Sequence, residues 1–306
     1  MSTRERGVAA ITAILIVAVA ASAATLMLAQ QSAMVDQAML VSARAQADNY
    51  ARAGLDWARG VLQEDARSGD KVDFPGEGWA QPIAALPVER AIVSGSIADE
   101  QGKFNLNNLV RDNRRSERDV RDFQRVLASL GLDPALADAV VDWIDGDSDL
   151  SGPGGAEDAY YLSLRKPYRT ANAPMMQIEE LYQVRGFDAK AVAKLRPYVS
   201  ALPTNTPVNI NTASSIVLLA LLPDLGERIQ AHLKVRDAKP LRTRDDVKKW
   251  AGRSLTAAEE ERLDVGSSYF YVRVQVAQDD VELSTDALVS RMANARPTLL
   301  WRRPRY

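Results

Sequence analysis

The chain has 306 residues, 46% hydrophobic and 25% charged, a composition that excludes long disorder and leaves room for an anchor and two domains. A formal net charge of -2 supplies no overall attraction to nucleic acid or an anionic membrane surface. With no cysteine and one histidine, His232, disulfides, thiol nucleophiles and cysteine or polyhistidine metal sites are excluded, and a Ser-His-Asp triad would need that single imidazole.

No charged side chain occurs between Arg6 and Asp36, and the run Val8 to Ala29 is interrupted only by Thr12, Ser22 and Thr25, which is long enough to span a bilayer as a helix. A secretory signal would place its small-residue cleavage site beyond the apolar run; here the small residue, Gly7, precedes it. Cleavage after Gly7 would leave the apolar helix at the mature N-terminus. That arrangement resembles the class III leader cut by prepilin peptidase in type IV pilins and type II secretion pseudopilins; an uncleaved signal anchor is the alternative. Arg4 and Arg6 on the short flank keep that end cytoplasmic and send the rest of the chain to the periplasmic side.

Leu40, Ala43, Ala47, Tyr50, Gly54, Trp57 and Val61 recur at spacings of three and four, so the helix is expected to continue to about Arg67 with this stripe packed on a sheet, ending at Ser68-Gly69-Asp70. A break near Gln30-Gln31-Ser32 is the alternative. The segment from Pro75 through Pro87 reads as a loop. Arg90 to Ala98, a turn at Asp99-Glu-Gln-Gly102 and Lys103 to Leu106 read as a hairpin. At the other end, Tyr269 to Val276 alternates, Asp279-Asp280 turns the chain, Val281 to Val289 returns, and Thr298 to Trp301 forms a last short strand. Between these strand signals the chain reads as helical and weakly repeated. One copy opens with Phe104-Asn-Leu-Asn107 and the other with Val208-Asn-Ile-Asn-Thr-Ala213, with the proline-rich Leu202 to Pro207 between them. The expected fold is α+β: a long N-terminal helix on a small antiparallel sheet, with a large all-α insertion of two small modules. The divisions are 1-7 leader, 8-29 membrane span, 30-106 first part of the helix-and-sheet domain, 107-203 and 204-265 the two modules, and 266-306 the last strands.

Asp142, Asp145, Asp147, Asp149, Glu157 and Asp158 crowd a glycine-rich loop in the first module and would repel one another without a cation. Calcium suits them, since it takes six to eight oxygens in irregular geometry, whereas magnesium retains water. The alternation at Asp145, Asp147 and Asp149 is that of an EF-hand, but Leu150 replaces the required glycine and Glu157 falls one residue late. A solvated acidic turn is the alternative. Six carboxylates on one loop suit a cation better than the two differently placed carboxyls of acid-base catalysis. Calcium is expected to order the loop and the packing of Trp143 and Tyr160-Tyr161.

Asn209 to Ala213 followed by Leu222-Pro-Asp-Leu-Gly226 resembles a helix-hairpin-helix module, including those of membrane-anchored competence DNA receptors. Asp224, however, sits where a glycine would approach phosphate, and Thr204 to Arg262 carries little basic surplus. The motif reads as scaffold, with no nucleic-acid partner expected. His232, within the helical stretch Glu227 to Val235, reads as structural.

Taken in order, the leader, the anchor, Asn105-Leu-Asn107, the Asp142 to Asp158 loop and Asn209 to Ala213 resemble the minor pseudopilin K family of type II secretion over essentially the whole chain. The resemblance implies a pilin-like fold with calcium, one or two ions, in the insertion, and the six carboxylates named above as ligand candidates. It implies processing by prepilin peptidase between Gly7 and Val8, N-methylation of Val8, and no enzymatic activity. It further implies an inner-membrane protein extracted into the tip of a periplasmic pseudopilus. There it would join minor pseudopilins I and J in a complex that starts assembly for export across the outer membrane, alongside other pseudopilins and the inner-membrane secretion platform. Most pilins carry Glu at the fifth mature position, where this chain has Thr12. An unpaired carboxylate at that depth would cost roughly 2.5 to 3.5 kcal/mol, so a subunit with none ahead of it gains by lacking it. A membrane-anchored DNA receptor and a metal-dependent enzyme are the competing classes.

Overall fold

In the computed structural model, residues 3-69, 71-292 and 295-305 are described, with only the backbone course for residues 3-10. Helix α1 runs without a break from Thr3 to Arg67, about 97 Å at 1.5 Å per residue. Its large apolar side chains from Ile11 to Leu28 stand exposed, and the helix is long and apolar enough to cross a membrane. Past Arg67 the chain leaves the helix through Gly69, whose φ of +80° glycine adopts without strain.

Strands β1 (Ile83-Val88) and β2 (Ala91-Asp99) follow as a hairpin. The expected loop at Pro82 to Pro87 is therefore largely a strand, and the hairpin partner of 91-99 lies before it, not at Lys103 to Leu106. Proline is tolerated in β1 because that strand is the sheet's edge. The short strand β3 (Phe104-Asn105) instead opens the insertion, so the first module begins before residue 107.

The insertion continues through the β4 (Val110-Arg111) and β5 (Arg114-Arg115) hairpin, then helices α2 (Glu117-Ser129), α3 (Leu136-Ile144), α4 (Asp158-Leu162) and α5 (Ala189-Leu195). Strand β6 (Val199-Ser200) closes this module by pairing in parallel with β3. The second module repeats the plan: β7 (Val208-Asn209), then α6 (Ser215-Leu221), α7 (Gly226-Leu233), α8 (Arg244-Ala251) and α9 (Ala257-Arg262), closed by β8 (Leu263-Asp264) in parallel with β7.

The repeated asparagines explain the duplication physically. Asn107 clamps the backbone of Met175, with Nδ2 donating to its carbonyl at 2.8 Å and Oδ1 accepting its N-H at 2.8 Å. Asn211 clamps Leu241 in the same way, at 2.9 Å for both bonds. Two residues upstream in each case, Asn105 and Asn209 accept the N-H of Asn107 and Asn211. Each opening asparagine pair thus satisfies buried backbone groups that no ladder reaches. The cores of the two modules merge, with Phe104, Phe123 and Trp143 in one cluster with Val217, Leu218 and Val247.

The chain then returns to the sheet as β9 (Tyr269-Gln278), β10 (Val281-Ser290) and β11 (Thr298-Arg305). The sheet order is β1-β2-β9-β10-β11, all neighbours antiparallel. Phe270, Val272, Val274 and Val276 meet α1 on one face, as their alternation predicts. The helix face beneath them is Ala47, Ala51, Leu55, Ala58 and Leu62, rotated from the expected stripe, and Trp57 is exposed. Small residues win that face because helix and sheet approach closely: a Cβ at Gly54 would lie 2.8 Å from Val274 Cγ1.

Candidate metal centre

Helix α3 ends at Ile144 because Asp145-Gly-Asp-Ser-Asp149 follows, residues whose side chains bond locally and favour turns over helix. The loop then folds back along α3. Glycine is required for that approach: a Cβ on Gly155 would lie 2.3 Å from Asp142 Oδ2, and one on Gly152 would lie 2.3 Å from Asp138 Oδ2. Arg115 fixes the outer side, donating from Nη1 to Asp138 Oδ1 at 2.9 Å and to the Ser151 carbonyl at 2.7 Å. Asn113, in the β4-β5 turn with φ +56°, accepts the Gly146 N-H at 3.1 Å. Arg185 donates to the Gly155 carbonyl at 2.8 Å and lies over the Tyr160 ring.

Inside this frame, carboxylate oxygens of Asp145, Asp147 and Glu157 lie within 4.8 Å of one another. Asp142, on α3, stands beside the group, close enough for its charge to act on Asp145 and Glu157; its Oδ1 accepts the Ser151 N-H at 2.8 Å. Asp142 Oδ2, Asp145 Oδ1 and both Glu157 oxygens are buried and have no hydrogen-bond partner among the described residues. Buried acceptors left unpaired are costly, so these oxygens fit a hard cation well. Asp149 is not in the convergent group, and its N-H caps Asp147 Oδ1 at 2.9 Å. Asp158 turns away: its Oδ1 accepts the backbone N-H and hydroxyl of Thr170, each at 3.0 Å, and its Oδ2 pairs with Arg169.

The electrostatics separate the same residues. Burial first, then the negative charge of Asp147 and Asp142, pushes Asp145 up to about 6. Burial followed by Asp142 and Asp145 pushes Glu157 up to about 7. Asp142 is also raised, mainly by burial. Asp158 is lowered, chiefly by the Thr170 N-H. Next to the loop, Trp143 stacks edge-on to Tyr161 at 5.5 Å, and Tyr161 meets Tyr160 and Tyr168 at 5.1 and 5.2 Å. Asp138, Arg115 and Asn113 were not singled out from the sequence. Asp138 was findable, because it precedes Asp142 by one helical turn and shares its face.

The other candidates have structural partners. Asp224 forms a two-pronged pair with Arg253 at 2.7 and 3.0 Å, and Arg253 also holds Glu259. His232 is buried 5.6 Å from Trp250, and burial, helped by the charge of Arg236, lowers its pKa below the usual value. Thr12 lies within α1, as do Gly7 and Val8 by backbone course.

Residues 102-204, from the chain's entry into the insertion to just past β6, match the family model described as Type II secretion system (T2SS), protein K. Over 92% of this chain and 87% of the other, it is 35% identical to the type II secretion system protein K of Pseudomonas aeruginosa. The chain belongs to the type II secretion system protein K family. Family members from Aeromonas hydrophila, 31% identical over 98% of this chain and 97% of theirs, and Pectobacterium carotovorum, 30% identical over 94% and 93%, agree over nearly full length. The fold matches a chain in the crystal structure of the GspK-GspI-GspJ complex from the enterotoxigenic Escherichia coli type 2 secretion system. The TM-score is 0.74, with 24% identity, covering 88% of this chain and 99% of that one. The long helix, antiparallel sheet and helical insertion are therefore a family architecture.

Proposed function

We propose that the chain works as the minor pseudopilin K of a type II secretion system, at the tip of the periplasmic pseudopilus, in a complex with minor pseudopilins I and J that starts pseudopilus assembly. The observation that carries this reading is the near full-length similarity to protein K relatives. The match to a chain of a GspK-GspI-GspJ complex supports the choice of partners. The insertion supports the tip position, because a body placed between β3 and β8, outside the helix-and-sheet layer, is hard to fit between stacked subunits. Native mass spectrometry of the detergent-extracted chain with pseudopilins I and J tests it. A 1:1:1 complex is expected, and an I-J pair that leaves this chain free would contradict it.

The N-terminal half of α1 serves as a single-pass anchor in the inner membrane, with Arg4 and Arg6 cytoplasmic and the folded part periplasmic. Prepilin peptidase cuts between Gly7 and Val8, and Val8 is then methylated. Thr12→Glu impairs secretion of a reporter exoprotein if tip placement depends on that position, and is silent if membrane insertion alone matters. The role is structural and needs no catalytic step.

Calcium is held by Asp145, Asp147 and Glu157, with Asp142 as the fourth carboxylate; the unpartnered buried oxygens of Asp142, Asp145 and Glu157, with Asp147 converging on the last two, support this set. Asp149 is the remaining candidate for a second ion, while Asp158 serves the loop through Arg169 and Thr170. A rise in melting temperature between chelator and millimolar calcium is expected, and no rise would refute the site. Against a DNA receptor stands the Asp224-Arg253 pair, which puts a carboxylate at the hairpin where phosphate would dock.

A further inference from the structure

On the sheet face opposite α1, where the insertion meets β9, β10 and β11, lies a cavity of about 180 Å³. Its walls hold three carboxylates; Glu100 is neutralised by Lys103, and the other two are shared by four arginines. Glu179 accepts from Arg196 at 2.7 Å and lies 3.4 Å from Arg303. Asp286 accepts from Arg273 at 2.7 Å and lies 3.4 Å from Arg305. Two positive charges are thus in excess within this group. Trp301, also on the wall, has its indole Nε1 buried with no hydrogen-bond partner among the described residues.

Strand order gives the cavity an open side. β11 is terminal in the sheet, so its outer edge pairs with no strand among the described residues. Trp301, Arg303 and Arg305 follow one another at every second position of β11, and all three line the cavity. A strand added to this edge would put its own alternate side chains on that face, beside the same arginines. Pro304 lacks an N-H, so the usable edge lies mainly before it.

We propose that the outer edge of β11 takes up an extended acidic segment of a partner polypeptide as an added strand, its alternate carboxylates entering the cavity beside Arg303 and Arg305. Main-chain bonds to the edge hold the segment, and the surplus guanidinium charge selects acidic side chains. The inference stands independently of the tip and calcium readings, since it uses neither the leader nor the acidic loop.

The test uses the full chain in detergent micelles and a fluorescein-labelled peptide, Thr-Glu-Val-Glu-Val-Glu-Thr, read by anisotropy. Saturable binding is expected, with at least about tenfold loss when lysine replaces glutamate in the peptide. A comparable loss is expected for Arg305→Gln, which leaves Asp286 held by Arg273 and so preserves the fold. A peptide N-methylated at every backbone nitrogen keeps its charge but can donate no main-chain bond from either edge, and should not bind. Equal binding of the lysine peptide, or undiminished binding of the N-methylated one, would overturn the proposal. So would an Arg305→Gln variant that lowers the melting temperature yet binds unchanged, for the arginines would then only join the insertion to the sheet.

Discussion

Calcium uptake should expel protons, mostly from one side chain. Glu157, pushed up to about 7, is half neutral at pH 7, while Asp145 at about 6 is about one-tenth neutral. A calcium ion takes both as carboxylates, so binding at pH 7 releases about 0.6 proton per ion from these two, and Asp142, also raised by burial, adds to the count. By pH 5.5 both groups are mostly protonated, and proton competition weakens the apparent affinity about a hundredfold relative to pH 8. The stability effect has a definite sign. Both carboxyls have raised pKa values in the folded chain, so without calcium their contribution favours the fold below pH 4 and is lost as pH rises through 6 and 7. Calcium stabilises the ionised forms, so the melting-temperature gap between calcium and chelator widens with rising pH. Titration calorimetry in two buffers of different ionisation enthalpy measures the proton count. Glu157→Gln should reduce it at pH 7 by about half a proton and weaken binding. A count near zero, with affinity constant from pH 8 to 5.5, would refute the reasoning.

Other consequences are local. Trp143 packs edge-on to Tyr161 beside the loop, so its emission should shift with calcium, and Trp143→Phe should abolish the shift although four other tryptophans remain. Asn107→Ala removes a two-way backbone clamp on Met175 and a bond to the Leu202 carbonyl at 2.7 Å; it should cost about 2 to 4 kcal/mol in denaturant unfolding, and a neutral result would deny the clamp its role. Gly54→Leu should destabilise by about 1 to 3 kcal/mol by pushing α1 off β9 at Val274, measured by thermal melting. The intact mass of the membrane-extracted chain should show loss of Met1 to Gly7 plus one methyl group.

What could be read from the sequence depended on how strongly packing constrains each segment. The β9-β10 turn was legible because Phe270 to Val276 alternate against α1 and Asp279-Asp280 breaks the run, Asp279 taking a φ of +50°. β1 was not, because an edge strand with little burial needs no alternation, and Pro82 before it and Pro87 within it read as a loop. The face of α1 was misread because alanines surround the helix; the close approach to β9 selects Ala47, Ala51 and Ala58 over Trp57, and that requires the sheet. In the acidic loop, the structure brings Asp145 and Asp147 together with Glu157, whereas Asp149 turns its N-H back onto Asp147. Asp158 opens α4 after Glu157, its extended N-cap, and turns instead toward Thr170 and Arg169. The duplication was visible because each Asn-apolar-Asn opening performs the same backbone bonding in both modules.

The central claim is position at the tip. The chain has no cysteine, so Ala238→Cys, exposed on the second module, gives a single labelling site. Gold attached there should appear on sheared pseudopili at one end only, one particle per filament. Labels distributed along the shaft would contradict the account.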